Sequence, residues 1–142
     1  MERIKYIKYK DTQLFADDSG KNIILYTNKK DRNFKITLPQ AIENLEITIY
    51  CHEEMPASSE FEITGGKNIP MIGSLLRMAR YGTSRVVRPD DDKEVYSLKV
   101  KEQKGLDAGS WFKFLAFDKK WFLTGRVNIE SLGMDGTGVE FE

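Results

Sequence analysis

The segment LEITIYC alternates strictly: Leu45, Ile47, Ile49 and Cys51 are apolar, and Glu46, Thr48 and Tyr50 stand between them. Period two puts one set in a core and the other toward water, so this is a half-buried strand. Similar short β-branched and aromatic runs occur at residues 3–9, 22–27, 34–38, 61–64, 85–88, 95–101, 111–117 and 121–126. Between them lie clusters of turn-forming residues, DDSGKN at 17–22, TNKKDRN at 27–33, TGGKN at 64–68 and RPDDD at 88–92. Many short strands punctuated in this way predict an all-β fold. An antiparallel β-sandwich or jelly roll with at most one or two short helices suits the spacing better than a βαβ fold does.

Two segments depart from alternation. Leu38, Pro39, Gln40, Ala41 and Ile42 can open one helical turn. Residues 74–81 can form a short helix with Ser74 as N-cap and Gly82 just past its end. Leu75, Met78 and Ala79 fit helical spacing, while Leu75, Ala79 and Tyr81 fit a strand nearly as well. No internal repeat or long linker stands out, so residues 1–142 are expected to form a single sandwich domain. Residues 1–10 are a candidate docking arm. Residues 131–142, with GMDGTGVEFE, are expected to be a flexible tail or an arm that adds a strand to a neighbour.

Composition narrows the class. The chain has 142 residues, 40% of them hydrophobic and 31% charged, enough apolar material for a core without disulfides or metals. No apolar run approaches the roughly 20 residues of a spanning helix, so no membrane partner is expected. The start MERIKYIKYK lacks the apolar stretch and cleavage site of a signal peptide, which predicts synthesis in a cytoplasm. Cys51 is the single cysteine, which rules out an internal disulfide and any CxxC motif. Lys plus Arg balances Asp plus Glu at 22 each, so no global field draws the chain to nucleic acid or anionic lipid.

The candidates for chemistry are few. His52 is the only histidine, and it neighbours Cys51 on a strand that points consecutive side chains to opposite faces, so the two are not expected to act as base and nucleophile. Asp90, Asp91 and Asp92 lack the spacing of a calcium loop and are expected to form a solvated turn. TGGKN and DDSGKN carry Gly-Lys pairs without completing a phosphate-binding loop. No catalytic residue, metal site or cofactor is therefore predicted. Basic side chains do gather at Arg77, Arg80, Arg85 and Arg88, and Arg3, Lys5, Lys8 and Lys10 interleave with Tyr6 and Tyr9. Against a neutral total, these suit a protein partner better than nucleic acid.

The most apolar stretch is WFKFLAFDKKWFLTG, residues 111–125. A hairpin turning on Asp118, Lys119 and Lys120 sets Phe117 against Trp121, Ala116 against Phe122, Leu115 against Leu123 and Phe114 against Thr124. One face then carries Leu115, Phe117, Trp121 and Leu123, the other Phe112, Phe114, Ala116, Phe122 and Thr124. Both faces are apolar, and a small sandwich buries only one face of each sheet. The second face needs another layer, another subunit, or a role as an aromatic ligand platform.

In order, FKITLP at 34–39, LEITIY at 45–50, FEITGG at 61–66 and the closing WFKFLAFDKKWFLTG resemble a pattern of bacteriophage virion domains, of the tail-fibre, head-fibre or capsid-decoration type. The resemblance covers about residues 33–126; the MIGSLLRMAR segment and the insertion around 88–94 depart from it. It implies a non-enzymatic virion protein, commonly a homotrimer, whose partners are its own copies and capsid or tail subunits. On that basis Phe112, Phe114 and Phe122 are candidate interface residues, and Arg77, Arg80, Arg85 and Arg88 candidate docking residues. The rival from another class is a carbohydrate-binding or adhesin module with Trp111, Trp121 and Tyr81 as stacking platforms.

Overall fold

The computed structural model describes residues 3–66, 68–81, 84–90, 92–101, 106–131 and 138–142. Its first half winds back and forth between two layers. Strands β1 (Ile4–Lys8), β3 (Asn22–Tyr26) and β5 (Glu46–Cys51) lie side by side and parallel in one sheet. Strands β2 (Thr12–Gln13), β4 (Asn33–Thr37) and β6 (Glu60–Thr64) do the same in the other. The chain therefore makes three coils, each contributing one strand to each wall. Two of these strands are alike in sequence: NFKIT in β4 lies in register on EFEIT in β6, with Phe34 over Phe61 and Ile36 over Ile63. The two phenyl rings stack 5.7 Å apart at 19°.

The second half adds β7 (Met71–Gly73), β8 (Leu75–Tyr81), β9 (Arg85–Val87), β10 (Ser97–Val100), β11 (Trp111–Phe117), β12 (Lys120–Ser131) and β13 (Val139–Phe141). The larger sheet runs β1-β3-β5-β11-β12-β8-β9, with β7 pairing the start of β12; the smaller runs β13-β10-β6-β4-β2. The architecture is the predicted all-β sandwich, but its sheets are mixed rather than antiparallel throughout. The parallel pairs come from the coils and from β12, which runs parallel to β7 and then to β8.

The inner faces supply one buried cluster. Phe61 of the smaller sheet meets Phe112 of the larger edge to face, centroids 5.9 Å apart. Gly73 ends β7, at φ +109, where a side-chain carbon would stand 2.1 Å from the Leu123 carbonyl oxygen. Only glycine lets the chain step from one stretch of β12 to the next. Ser74 resumes the ladder by donating its N–H to the same Leu123 oxygen at 3.0 Å.

The structure decides two local points. Leu75–Tyr81 is strand rather than helix, since β12 offers β8 a ladder along its length. The segment from Leu38 to Ile42 is not helical: Leu38 is buried and donates its N–H to Thr64 O at 2.8 Å, and the turn at Asn44 adopts φ +72. Half of the candidate N-terminal docking arm, Ile4–Lys8, is β1, paired along β3. At the other end β13 adds its strand to β10 of its own chain, with Glu142 N and Ser97 O closing the pair at 2.9 Å. Residues 132–137 lie outside the described residues.

Candidate binding face

The β11–β12 hairpin turns on two residues, not three. Asp118 and Lys119 have φ +53 and +59, the signature of a type I′ turn, whose twist matches that of the strands it joins. Ala116 consequently pairs with Trp121, Leu115 with Phe122, Phe114 with Leu123 and Lys113 with Thr124. This is one residue away from the predicted register, and a slip of one reverses the facing of one strand relative to the other. Trp121 and Leu123 join Phe112, Phe114 and Ala116 on the inner side, all fully buried. Leu115, Phe117 and Phe122 lie outside, 37%, 47% and 37% exposed.

The candidate interface is thereby corrected. Phe112 and Phe114 belong to the core of one chain and present nothing to a partner, whereas Phe122 remains at the surface with Leu115 and Phe117. Ile72 of β7 pairs with Phe122 and extends the patch. The aromatic platform is corrected too. Trp121 has no exposed surface, and its ring closes on Gly65, where an added side-chain carbon would lie 2.9 Å from Cδ1. Tyr81 is 65% exposed but pairs with Ser131, far along β12 from Arg126, the partner of Trp111. The three platform candidates do not come together.

Trp111 instead keeps company that the sequence did not reveal. Across the outer face, Tyr6, Ile24, Tyr50, Trp111, Arg126, Leu76 and Val86 occupy one register row running from β1 to β9. Five of those seven residues, Tyr6, Tyr50, Arg126, Leu76 and Val86, are exposed. Next to this row is a polar one, Asn22, Thr48, Lys113 and Thr124. Where the rows meet there is a cleft of about 310 Å³ lined by Tyr50, Trp111, Asn22, Thr48, Lys113 and Glu46, with Gly20 and Lys21 at its rim. The signal was in LEITIYC, whose watery positions Glu46, Thr48 and Tyr50 all line this cleft; what the sequence lacked was the pairing of β5 with β11.

A buried carboxylate fixes the rim. Asp18, 3% exposed, receives Lys5 at 3.1 Å, Lys21 at 3.3 Å and the Phe15 N–H at 2.9 Å. Burial alone would raise its pKa, but the Phe15 N–H and the two ammonium groups outweigh that and hold it below the usual carboxylate range. Ser19 accepts the Glu46 N–H at 3.0 Å, and Gly20 donates to Glu46 O at 3.0 Å, so the turn is tied to β5. Lys113 and Glu46 pair at 3.3 Å across the floor.

The arginines form no single patch. Arg77 is 2% exposed, Arg80 pairs with Asp107 at 3.0 Å, and Arg85 and Arg88 are at the surface. Burial pushes the Cys51 thiol up to about 12, and its inward side chain points away from exposed His52, whose ring lies edge-on to Tyr26 at 5.2 Å. Asp90 pairs with Lys93 at 3.7 Å; Asp91 lies outside the described residues. Among the described residues, no three carboxylate, thiol or imidazole groups gather as a metal site. No protein-family model, curated protein or solved structure matches the chain.

Proposed function

We propose that the protein is a non-enzymatic assembly component of a virion, of the capsid-decoration, head-fibre or tail-fibre kind, and that its copies associate through the outer face of the β11–β12 hairpin. One observation supports this above the rest: the tip of the hairpin carries an apolar patch on its outer side as well as its buried inner side, and a single chain covers only the inner one. The inner side packs against the smaller sheet. The outer side leaves Leu115, Phe117 and Phe122 in water, with Ile72 alongside. Further copies of the chain are the simplest cover for such a patch, because closed symmetry that gathers it around one axis covers it on every copy at once.

The order of segments from FKITLP to WFLTG adds the virion context and the trimer. Capsid or tail subunits are the further partners. Of the four docking arginines, Arg85 and Arg88 lie exposed at and beyond the β9 edge and are the ones in a position to meet them. Light scattering on the purified chain at micromolar concentration tests the association: a trimer is expected. A chain that stays monomeric across the concentration range overturns it.

A further inference from the structure

We propose that the cleft between Tyr50 and Trp111 binds a neutral, linear oligosaccharide laid across the strands. Sugars present two kinds of surface, a C–H face that stacks on aromatic rings and a rim of hydroxyls that needs hydrogen-bonding groups in fixed places. The cleft offers both. Tyr50 and Trp111 stand directly opposite each other on β5 and β11, and both line the cleft. Beside them Asn22 and Thr48 are register partners in the polar row, and Thr48 pairs in turn with Lys113. An amide, a hydroxyl, an ammonium and the Glu46 carboxylate together donate to and accept from neighbouring hydroxyls. Aromatic walls with a few placed polar groups are the usual makeup of a small-ligand site.

Charge selects among sugars. Lys21 is paired with Asp18, and Lys113 with Glu46, so the lining presents balanced charges rather than a cationic field. A neutral ring meets these pairs without breaking them. A uronic acid would have to compete with Asp18 or Glu46 for its cation.

The row sets the direction. Tyr6 and Ile24 continue it on one side of the cleft, and Arg126, Leu76 and Val86 on the other. Neighbouring strands are about 4.8 Å apart, close to the advance of one sugar in an extended chain, so successive rings fall on successive strands. Tyr6 lies near Tyr26, ring centroids 6.0 Å apart, which widens the apolar floor at the β1 end. The site adjoins the proposed assembly patch, since Glu46 of its lining is the register partner of Leu115, but Leu115, Phe117 and Phe122 do not line it.

The test is an array of neutral and uronic-acid oligosaccharides from disaccharides to hexasaccharides, followed by titration calorimetry with the neutral chains retained. Binding is expected for neutral chains and to strengthen with length. Trp111→Ala and Tyr50→Ala each weaken it by about tenfold or more, with the thermal midpoint of each variant measured to show that it folds. Tyr6→Ala weakens the hexasaccharide and leaves the disaccharide unchanged. Retention of nothing on the array overturns the site, as does binding that survives both Trp111→Ala and Tyr50→Ala. Preference for the uronic acids overturns the neutral ligand, and affinity independent of length overturns the cross-strand path.

Discussion

Ala116 lies directly opposite Trp121 across the β11–β12 hairpin. That pairing turns Trp121 inward with Phe112 and Phe114 and leaves Phe122 outside with Leu115 and Phe117. The cause is local. Asp118 and Lys119 both take positive φ, so the loop closes after two residues and Lys120 already pairs with Phe117.

The turn itself is therefore open to improvement. Asp tolerates the left-handed region, but Lys119 holds φ +59 with a full side chain. Lys119→Gly removes that penalty at some cost in unfolded-state entropy, for a net gain of about 0.5 kcal/mol. Urea denaturation should show a higher midpoint with an unchanged slope.

Substitutions on the two sides of the hairpin should separate folding from assembly. Phe114 is fully buried, so Phe114→Ala costs about 3–5 kcal/mol of stability. Phe114→Asp should leave no folded chain at all, because a charge would have to enter the core without a partner.

Phe122→Asp acts on the other face. Its side chain is 37% exposed in the isolated chain, so the monomer should lose much less stability than Phe114→Asp does and stay folded, while an interface that buries Leu115 and Phe122 would acquire an unpaired charge. Light scattering should report monomer for Phe122→Asp and oligomer for the parent chain. An oligomer that persists in Phe122→Asp places the contact elsewhere.

How much of this was legible beforehand follows from the range of the forces involved. Alternation in LEITIYC depends on neighbours two residues away, and it correctly marked Ile47, Ile49 and Cys51 as core and Tyr50 as surface. The parallel coils were harder, since they join strands whose sequence separation spans a whole circuit; NFKIT over EFEIT was the visible trace, and it reads as an ordinary strand pair until the register is known. Residues 74–81 were ambiguous because their pattern fits both periods, and only the ladder on β12 decides. The hairpin is legible in the aromatic runs, but its two-residue turn is not, and that single step of register moves Trp121 from platform to core. The cleft could not be read, because Tyr50 and Trp111 meet only when β11 joins the edge of the coiled half.

Acid should weaken the fold in a way that Asp18 controls. Its pKa in the folded chain lies below the unfolded value, so its contribution is fully present above the unfolded pKa of about 3.9 and is lost as pH falls through the folded one. Glu53 behaves alike: burial would raise it, but the Tyr9 hydroxyl at 2.8 Å and the Asn28 N–H at 3.1 Å hold it low. Denaturation midpoints should therefore fall progressively below about pH 4. Asp18→Asn keeps an acceptor for the Phe15 N–H but leaves Lys5 and Lys21 facing each other without their common counter-charge. The lysines are 30% and 24% exposed, so the expected loss at neutral pH is at the lower end for charged hydrogen bonds, about 1.5 kcal/mol. In the same variant the acid limb becomes shallower, since Asp18 no longer titrates beside Glu53. A stability profile against pH for both chains checks this, and parallel profiles would mean that Asp18 is not the group that acid neutralises.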